Sequence, residues 1–464
     1  GSNTAIGYKA LSTHVTGHSN TAIGYQAMWD TNAGSNSNDS DHNIAIGKSA
    51  MGGVWADTKS ENNIAIGNNS LDAGLDGAHY NIALGHYVHS NLISGTSNIG
   101  IGWAAAEQIT TSAGNIAIGK QAMQVHTTGG NNIAIGSNAM DDTNAGSTSL
   151  GSTDNIFIGL NAGGGTWADV ASNYNIGIGN YSMDAALNGA LNNTALGHYT
   201  LSALTTGDSN VALGYNAGGS LTTGASNILI GRSAGGAGTD LASAVIIGHL
   251  AGDAINTNNS QGSVLIGFQA GTTQTGGVNT FIGYDSGRYN KAGTYNTFVG
   301  YEAGTYATGS SNTFMGYQAG RGSSSVPYAS AGNNTAIGYK ALTGFTTGNT
   351  NVSIGIQSGE SSTTAYRNVY LGPYAGRYNT TGLGNIFIGY EAGKGASGVS
   401  AAYTYNVGIG YQSLERIRTG ANNVAIGSYA GGYMDEGDFN VLLGNSAGYA
   451  ITDGDSNVAI GYQA

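Results

Sequence analysis

Nine histidines carry the widest chemical reach in this chain, as general acids and bases or as metal ligands: His14, His18, His42, His79, His86, His89, His126, His198 and His249. None falls into a His-Glu-x-x-His pattern, and with no cysteine there is neither a thiolate metal site nor a disulfide. His86 and His198 stand in the same context, Gly85-His86-Tyr87 and Gly197-His198-Tyr199, which reads as a repeat position at the surface or between repeats. Oxygen donors alternate in Asn36-Ser37-Asn38-Asp39-Ser40-Asp41 and in Asp453-Gly454-Asp455. Calcium wants about six to eight oxygens from one loop, and neither run completes an EF-hand. Asp39, Asp41, Asp453 and Asp455 are therefore calcium candidates for which a solvated turn is the preferred reading, and no other cofactor is expected. No nucleophile, base and orienting group converge in the sequence, so the chain is not expected to be an enzyme.

Aromatic residues offer binding chemistry instead. Tyrosine follows a recurrent glycine at Tyr8, Tyr25, Tyr215, Tyr284, Tyr301, Tyr317, Tyr339, Tyr390, Tyr411 and Tyr462. Such a stripe could stack on sugar rings, but packing of one repeat on the next is the preferred reading. Trp55 and Trp167 fall in duplicated insertions and are the candidates for receptor contact.

These residues are all hung on one repeated element. Asn20-Thr21-Ala22-Ile23-Gly24 returns as Asn132-Ile133-Ala134-Ile135-Gly136 and as Asn457-Val458-Ala459-Ile460-Gly461. Anchored on the glycine there are 26 copies, most of them spaced as Gly102, Gly119 and Gly136 are. Asparagine stands four positions before every anchor except at Ala244 and Ser263. From Gly24 to Gly136 the intervals run 23, 20, 18, 17, 17, 17, and they repeat in that order from Gly136 to Gly248. Six-rung cassettes thus occupy about 25–136 and 137–248, with variant cassettes over 249–464. A period this short means that each repeat is one rung, unable to bury its apolar face alone, so the spacing predicts an all-β fold. It is a single continuous β-solenoid, a parallel β-roll of about 26 rungs over 1–464. At roughly 4.8 Å per rung, 26 rungs would make a rod on the order of 120 Å long.

Alternation along the strand assigns its two faces. Thr21 and Ile23, Ile133 and Ile135, and Val458 and Ile460 are the β-branched or aliphatic face expected to fill a rung. The other face carries Ala5, Ala22, Ala45, Ala65 and Ala83 beside the glycine and is never charged. A strand apolar on both faces is buried on both. The small-residue face is accordingly expected to meet other copies of the chain at a crowded axis, most simply three of them, with Phe281, Phe298 and Phe314 marking a stretch where that axis widens. The asparagines are expected to hydrogen-bond from rung to rung, so that Asn20, Ile23, Gly24, Asn132, Ile135, Gly136, Asn457, Ile460 and Gly461 form a structural ladder.

Composition narrows the function classes. Charged residues make up only 9% of the chain while 40% are hydrophobic, which opposes disorder. Glycine, at 80 of 464 residues, does not recur every third position, so collagen is excluded. A net charge of −12 argues against a nucleic-acid partner. No apolar run approaches the roughly 20 residues that span a membrane, and no signal peptide is read at the start. Both ends fall within the pattern, which is expected either of a segment of a longer fibre or of ends that are meant to join.

The run Asn-x-Ala-Ile-Gly-x-x-Ala, at Asn20 to Ala27, Asn132 to Ala139 and Asn423 to Ala430, resembles the head repeats of YadA-type trimeric autotransporter adhesins. Asn20 to Tyr25 and Asn334 to Tyr339 are similar to the Asn-Thr-Ala-Ile-Gly-Tyr repeats of phage tail-fibre-like proteins. The resemblance covers the whole chain. It implies a parallel homotrimer of β-rolls with a role in attachment, as an extracellular, cell-surface or virion-associated fibre whose partners are itself and a surface glycan or host receptor. Adhesin-head rungs are shorter than these, so the longer rung with its periodic insertions favours the fibre relatives. The alternative is a subunit of a self-assembling extracellular filament without a receptor.

Overall fold

The computed structural model describes residues 1–14, 16–31, 39–143, 151–255, 261–325, 327–397 and 401–464. The chain divides into two units, Gly1–Leu241 and Ala242–Ala464. Among the described residues the first holds thirteen three-residue strands, β1 (Thr4–Ile6) to β13 (Ile228–Ile230), and the second thirteen more, β14 (Val245–Ile247) to β26 (Val458–Ile460). Within each unit the strands pair in parallel and in register, Thr21 with Ile44 and Ile23 with Ile46 for instance, or Thr297 with Thr313 and Val299 with Met315. Parallel, in-register stacking of single rungs is the β-solenoid architecture that the period predicts.

Each strand is short because glycine ends it. The anchor glycines take φ between 127° and 144°, a conformation essentially closed to residues with a Cβ. They also stack on one another so closely that a Cβ at Gly119 would collide with the backbone carbonyl of Gly136 in the next rung. Two and four positions beyond the anchor the backbone turns left-handed again, as at Gln121 (φ 57°) and Met123 (φ 52°).

The two faces of the strand are the reverse of the sequence-based expectation. The middle residue points inward: Ala22, Ala45, Ala65, Phe157, Phe281, Phe298 and Phe314 are all fully buried within their own chain. The flanking residues, Thr21 and Ile23 or Ile133 and Ile135, face outward and are half-buried, and Val458 and Ile460 are exposed. A rung of this length is wide enough to take one side chain per strand into its lumen, and the strand's central position aims there. Phe281, Phe298 and Phe314 therefore widen no axis between chains. They stack inside the second unit at 4.8 and 4.9 Å between ring centroids.

Room for those rings comes from the turn. Four residues past the anchor the chain returns to the core, and in most rungs the size of the residue there is complementary to the strand's middle residue. Ala22 goes with Met28, Ala45 with Met51, Ala65 with Leu71 and Ala336 with Leu342, whereas Phe157 goes with Gly163, Phe281 with Gly287, Phe298 with Gly304 and Phe387 with Gly393. A Cβ added at Gly163 would lie 2.8 Å from the ring of Phe157. In these rungs one lumen is filled from either side, as close packing requires, whereas Ala212 with Gly218 and Ala425 with Gly431 pair two small residues and the leucines of neighbouring rungs, Leu201 and Leu229 or Leu414 and Leu442, close on the turn glycine instead.

Asparagine closes the other side of the lumen. Asn210 is buried and donates Nδ2 to Asn193 Oδ1 (3.0 Å) and to the Gly224 carbonyl (2.9 Å), while its Oδ1 accepts the backbone N–H (3.1 Å) and Nδ2 (2.9 Å) of Asn227. The pattern recurs at Asn20, Asn43 and Asn63 and, in the second unit, from Asn385 through Asn406, Asn423 and Asn440 to Asn457. Every polar atom of the amide is used, which is what makes a buried asparagine stabilising rather than costly. At Ser263, where asparagine is missing, Gln274 reaches in from the turn. Its Nε2 donates to Ser263 Oγ (2.7 Å) and to the Gly276 carbonyl (2.7 Å), replacing the absent amide.

Candidate functional surface

The outward residues of the strands form two ranks that run the length of each unit. In the first unit one rank includes Ile23, Ile46, Ile66, Ile101 and Ile118, and in the second the same rank includes Ile282, Val299, Met315, Ile337 and Ile388. Ile66, Ile101, Met315 and Leu371 retain 37–42% of their surface exposed, so the face is aliphatic and open to solvent. Soluble chains rarely leave a contiguous apolar face of this kind uncovered. Both faces of the strand are apolar, as the sequence shows, but it is the isoleucine face that lacks a partner within the chain.

Tyrosines one residue past the anchors form ladders beside this face. Tyr8 stacks on Tyr25 at 5.2 Å and Tyr390 on Tyr411 at 5.2 Å, and one position further along the rung Tyr181 stacks on Tyr199 at 5.1 Å. The longest ladder lies in the second unit, where Phe268, Tyr284, Tyr301, Tyr317 and Tyr339 follow one another at 4.9–5.2 Å. Neighbours occupy the ring faces, so the face-on sugar stacking that a tyrosine stripe suggests is closed along the ladder; Tyr215 meets Tyr199 edge-on at 6.0 Å instead.

Trp55 and Trp167 are fully buried, which corrects their reading as receptor contacts. The Trp55 indole N–H donates to the Met51 carbonyl (3.3 Å) and that of Trp167 to the Gly163 carbonyl (2.9 Å), with the Trp167 ring edge-on to Phe157. An extended rung enlarges the lumen, and the indole fills it.

Among the described residues no group of three or more histidine, aspartate or glutamate side chains could hold a metal ion. Asp39 accepts from the Thr16 hydroxyl and Asp41 from the His18 backbone N–H, while Asn36, Ser37 and Asn38 of the same run lie outside the described residues. Asp455 accepts the Asp438 N–H (2.7 Å), and Asp453 borders an open groove of about 730 Å³ shared with Lys394, Arg416 and Arg418. His86 lies exposed on Tyr87 at 4.1 Å. His126 is buried, donates Nε2–H to the Gly129 carbonyl (2.9 Å), pairs through Nδ1 with the Thr143 hydroxyl (3.0 Å), and has its pKa lowered by that burial. His14 holds the same place one cassette earlier, 3.1 Å from Thr31 Oγ1, and burial lowers its pKa too.

His89 is different in kind. It occupies the lumen position that Leu71 and Leu201 fill elsewhere, it is fully buried, and neither ring nitrogen has a hydrogen-bond partner among the described residues. Burial pushes its pKa down to about 3 from 6.5. The unfolded chain therefore takes up a proton below pH 6.5 that the folded chain refuses until about pH 3, and across that window stability is lost at about 1.4 kcal/mol per pH unit. His89→Leu is expected to raise stability by about 1–2 kcal/mol at pH 7 through removal of two unpaired polar atoms. Its advantage over the parent should grow by about 2 kcal/mol on going from pH 6.5 to 4.5. Asp72 and Asp141, both raised to about 6 by burial, titrate in the opposite sense and cancel in that difference. Urea denaturation of both proteins at the two pH values measures it, and a pH-independent difference would contradict the account.

No protein-family model matches the chain, and no curated protein matches it.

Proposed function

We propose that the chain is a non-catalytic structural segment of an attachment fibre, assembled as a parallel homotrimer through the outward isoleucine face. The observation that carries this reading is the solvent-open aliphatic face on each unit, whose β-branched residues repeat in register from rung to rung. Copies of the same chain present the same rank at the same spacing, so a parallel partner matches rung for rung, and a face of this size and apolarity suits an obligate interface. Three chains and a role in attachment rest on the resemblance to trimeric adhesin heads and tail-fibre repeats. The low charge and the regular lumen suit a passive scaffold.

Light scattering is expected to give about 140 kDa, three times the 46.6 kDa of one chain. Ile66→Lys with Ile101→Lys should shift the protein toward monomer without loss of β structure, because both side chains already meet solvent in the single chain. A monomer mass for the parent would remove the proposal, and open-ended polymers under the same conditions would favour the filament reading instead.

A further inference from the structure

The open groove of about 730 Å³ that Asp453 borders lies wholly within the second unit. Half of its twelve lining residues are charged, in a chain where only 9% are, so charge is concentrated here. Lys394, Arg416 and Arg418 stand against Glu415, Asp435 and Asp453. Arg416 and Arg418 flank the fully buried Ile417, so they leave the rung from its turn and not from the strand that carries the isoleucine rank. Two of the three cations are already paired. Lys394 Nζ lies 2.8 Å from Glu391 and 3.8 Å from Glu415, and Arg418 lies 2.9 Å from Asp435 and 2.6 Å from Glu436. Arg416 has neither an ion pair nor a side-chain hydrogen bond among the described residues, and its guanidinium lies over the ring of Tyr433 at 4.1 Å. Arg288 over Tyr289 and Arg377 over Tyr378 share that stacking at 5.0 Å, but Asp285 and Glu360 hold them at 3.2 and 2.8 Å.

We propose that this groove binds a glycan through one carboxylated sugar, whose carboxylate meets Arg416. The proposal rests on the attachment reading and names the ligand class for it. Stacking on Tyr433 fixes the plane of the guanidinium and leaves its N–H donors free along the edge, where a carboxylate takes two of them in parallel. The neighbours select what carries that carboxylate. Asp435 and Asp453 accept hydrogen bonds, and the Ser397 and Thr452 hydroxyls donate and accept, so together they suit a ring rich in hydroxyls. An acidic peptide brings the carboxylate without those hydroxyls. With three cations against three anions the lining is neutral, so a polyanion gains no field here, whereas a single negative charge meets the cation that lacks a partner.

Titration calorimetry of the full chain with sialyllactose and with a glucuronate-terminated trisaccharide tests it. Saturable binding of either is expected, and the one that binds identifies the acid. Lactose, which lacks the acid, should bind at least about tenfold more weakly. Arg416→Gln should weaken binding of the acidic glycan at least about tenfold, while Arg288→Gln, at a stacked arginine outside the groove, should leave it unchanged. The Arg416 side chain is exposed, so circular dichroism and melting of its variant should match the parent. Light scattering on the same samples keeps the two readings apart: a monomer that binds retains the groove and loses the trimer, and a trimer that binds neither acid retains the trimer and loses the groove. Equal binding of lactose or equal binding by Arg416→Gln overturns the proposal, and tighter binding of acetyl-Gly-Asp-Gly-amide overturns it in favour of an acidic peptide.

Discussion

Phe298→Ala and Gly304→Met are each expected to destabilise the second unit, and together to destabilise it less than either alone would suggest. Phe298 is fully buried and stacked between Phe281 and Phe314, so its truncation should cost about 3–5 kcal/mol through lost burial and a residual cavity. Gly304 lies at φ 59° with no room for a Cβ beside the Phe298 ring, and methionine there should cost about 1–3 kcal/mol by overpacking. Conformation is not the obstacle. Met28 and Leu342 occupy the same turn position at φ 47° and 51°. The double variant recreates the Ala22–Met28 pairing, with the methionine filling the cavity that the alanine opens. A double-mutant cycle read by urea denaturation should show a favourable coupling of about 2 kcal/mol or more, since residues sharing one cavity do not add. Additivity within about 0.5 kcal/mol would mean that the lumen does not have a fixed volume shared by strand and turn.

That pairing marks how far the sequence can be read. The rung period is legible because only glycine tolerates the φ of the anchor, so Gly24, Gly136 and Gly461 stand out whatever surrounds them. The direction of the strand faces is not legible, because Ala22 and Ile23 are both apolar and alternation states only that they point opposite ways. The signal that resolves it is the correlation of Ala22 with Met28 and of Phe298 with Gly304, which fixes the middle residue and the turn residue as neighbours in one enclosed space. Read without that correlation, small residues suggest a crowded axis and phenylalanines a wider one. Trp55 and Trp167 escape for a related reason. Insertions usually lie at the surface, but here the extra residues enlarge the rung and the indoles fill the added volume. Gln274 standing in for an asparagine, and His89 unpaired in the lumen, depend on contacts across rungs that no local pattern specifies.

The largest single effect is expected at an anchor glycine. Gly119→Ala places a Cβ where the backbone φ of 137° disfavours any L side chain, at a cost of about 1–3 kcal/mol, and drives it into the Gly136 carbonyl. Relief requires the two rungs to separate. The hydrogen bonds that tie Gly119 N–H to the Ile101 carbonyl (2.8 Å) and Gly136 N–H to the Ile118 carbonyl (2.8 Å) lie beside the collision, so the strand pairing is lost along with the contact. Stability in a stacked-repeat protein is the sum of each rung's own terms and its neighbour interfaces, and here one substitution strikes two interfaces at once. A total loss of about 4 kcal/mol or more is therefore expected, with hydrogen exchange accelerated first at Ile101, Ile118 and Ile135 and not at the far end of the unit. Gly151→Ala supplies the comparison within the same unit. That glycine has no left-handed φ and no described residue within 4 Å of an added Cβ, so its substitution should change stability by less than about 0.5 kcal/mol. Similar urea midpoints for the two alanine variants would show that rung spacing yields to a methyl group, and that glycine at the anchor is not what fixes the distance between rungs.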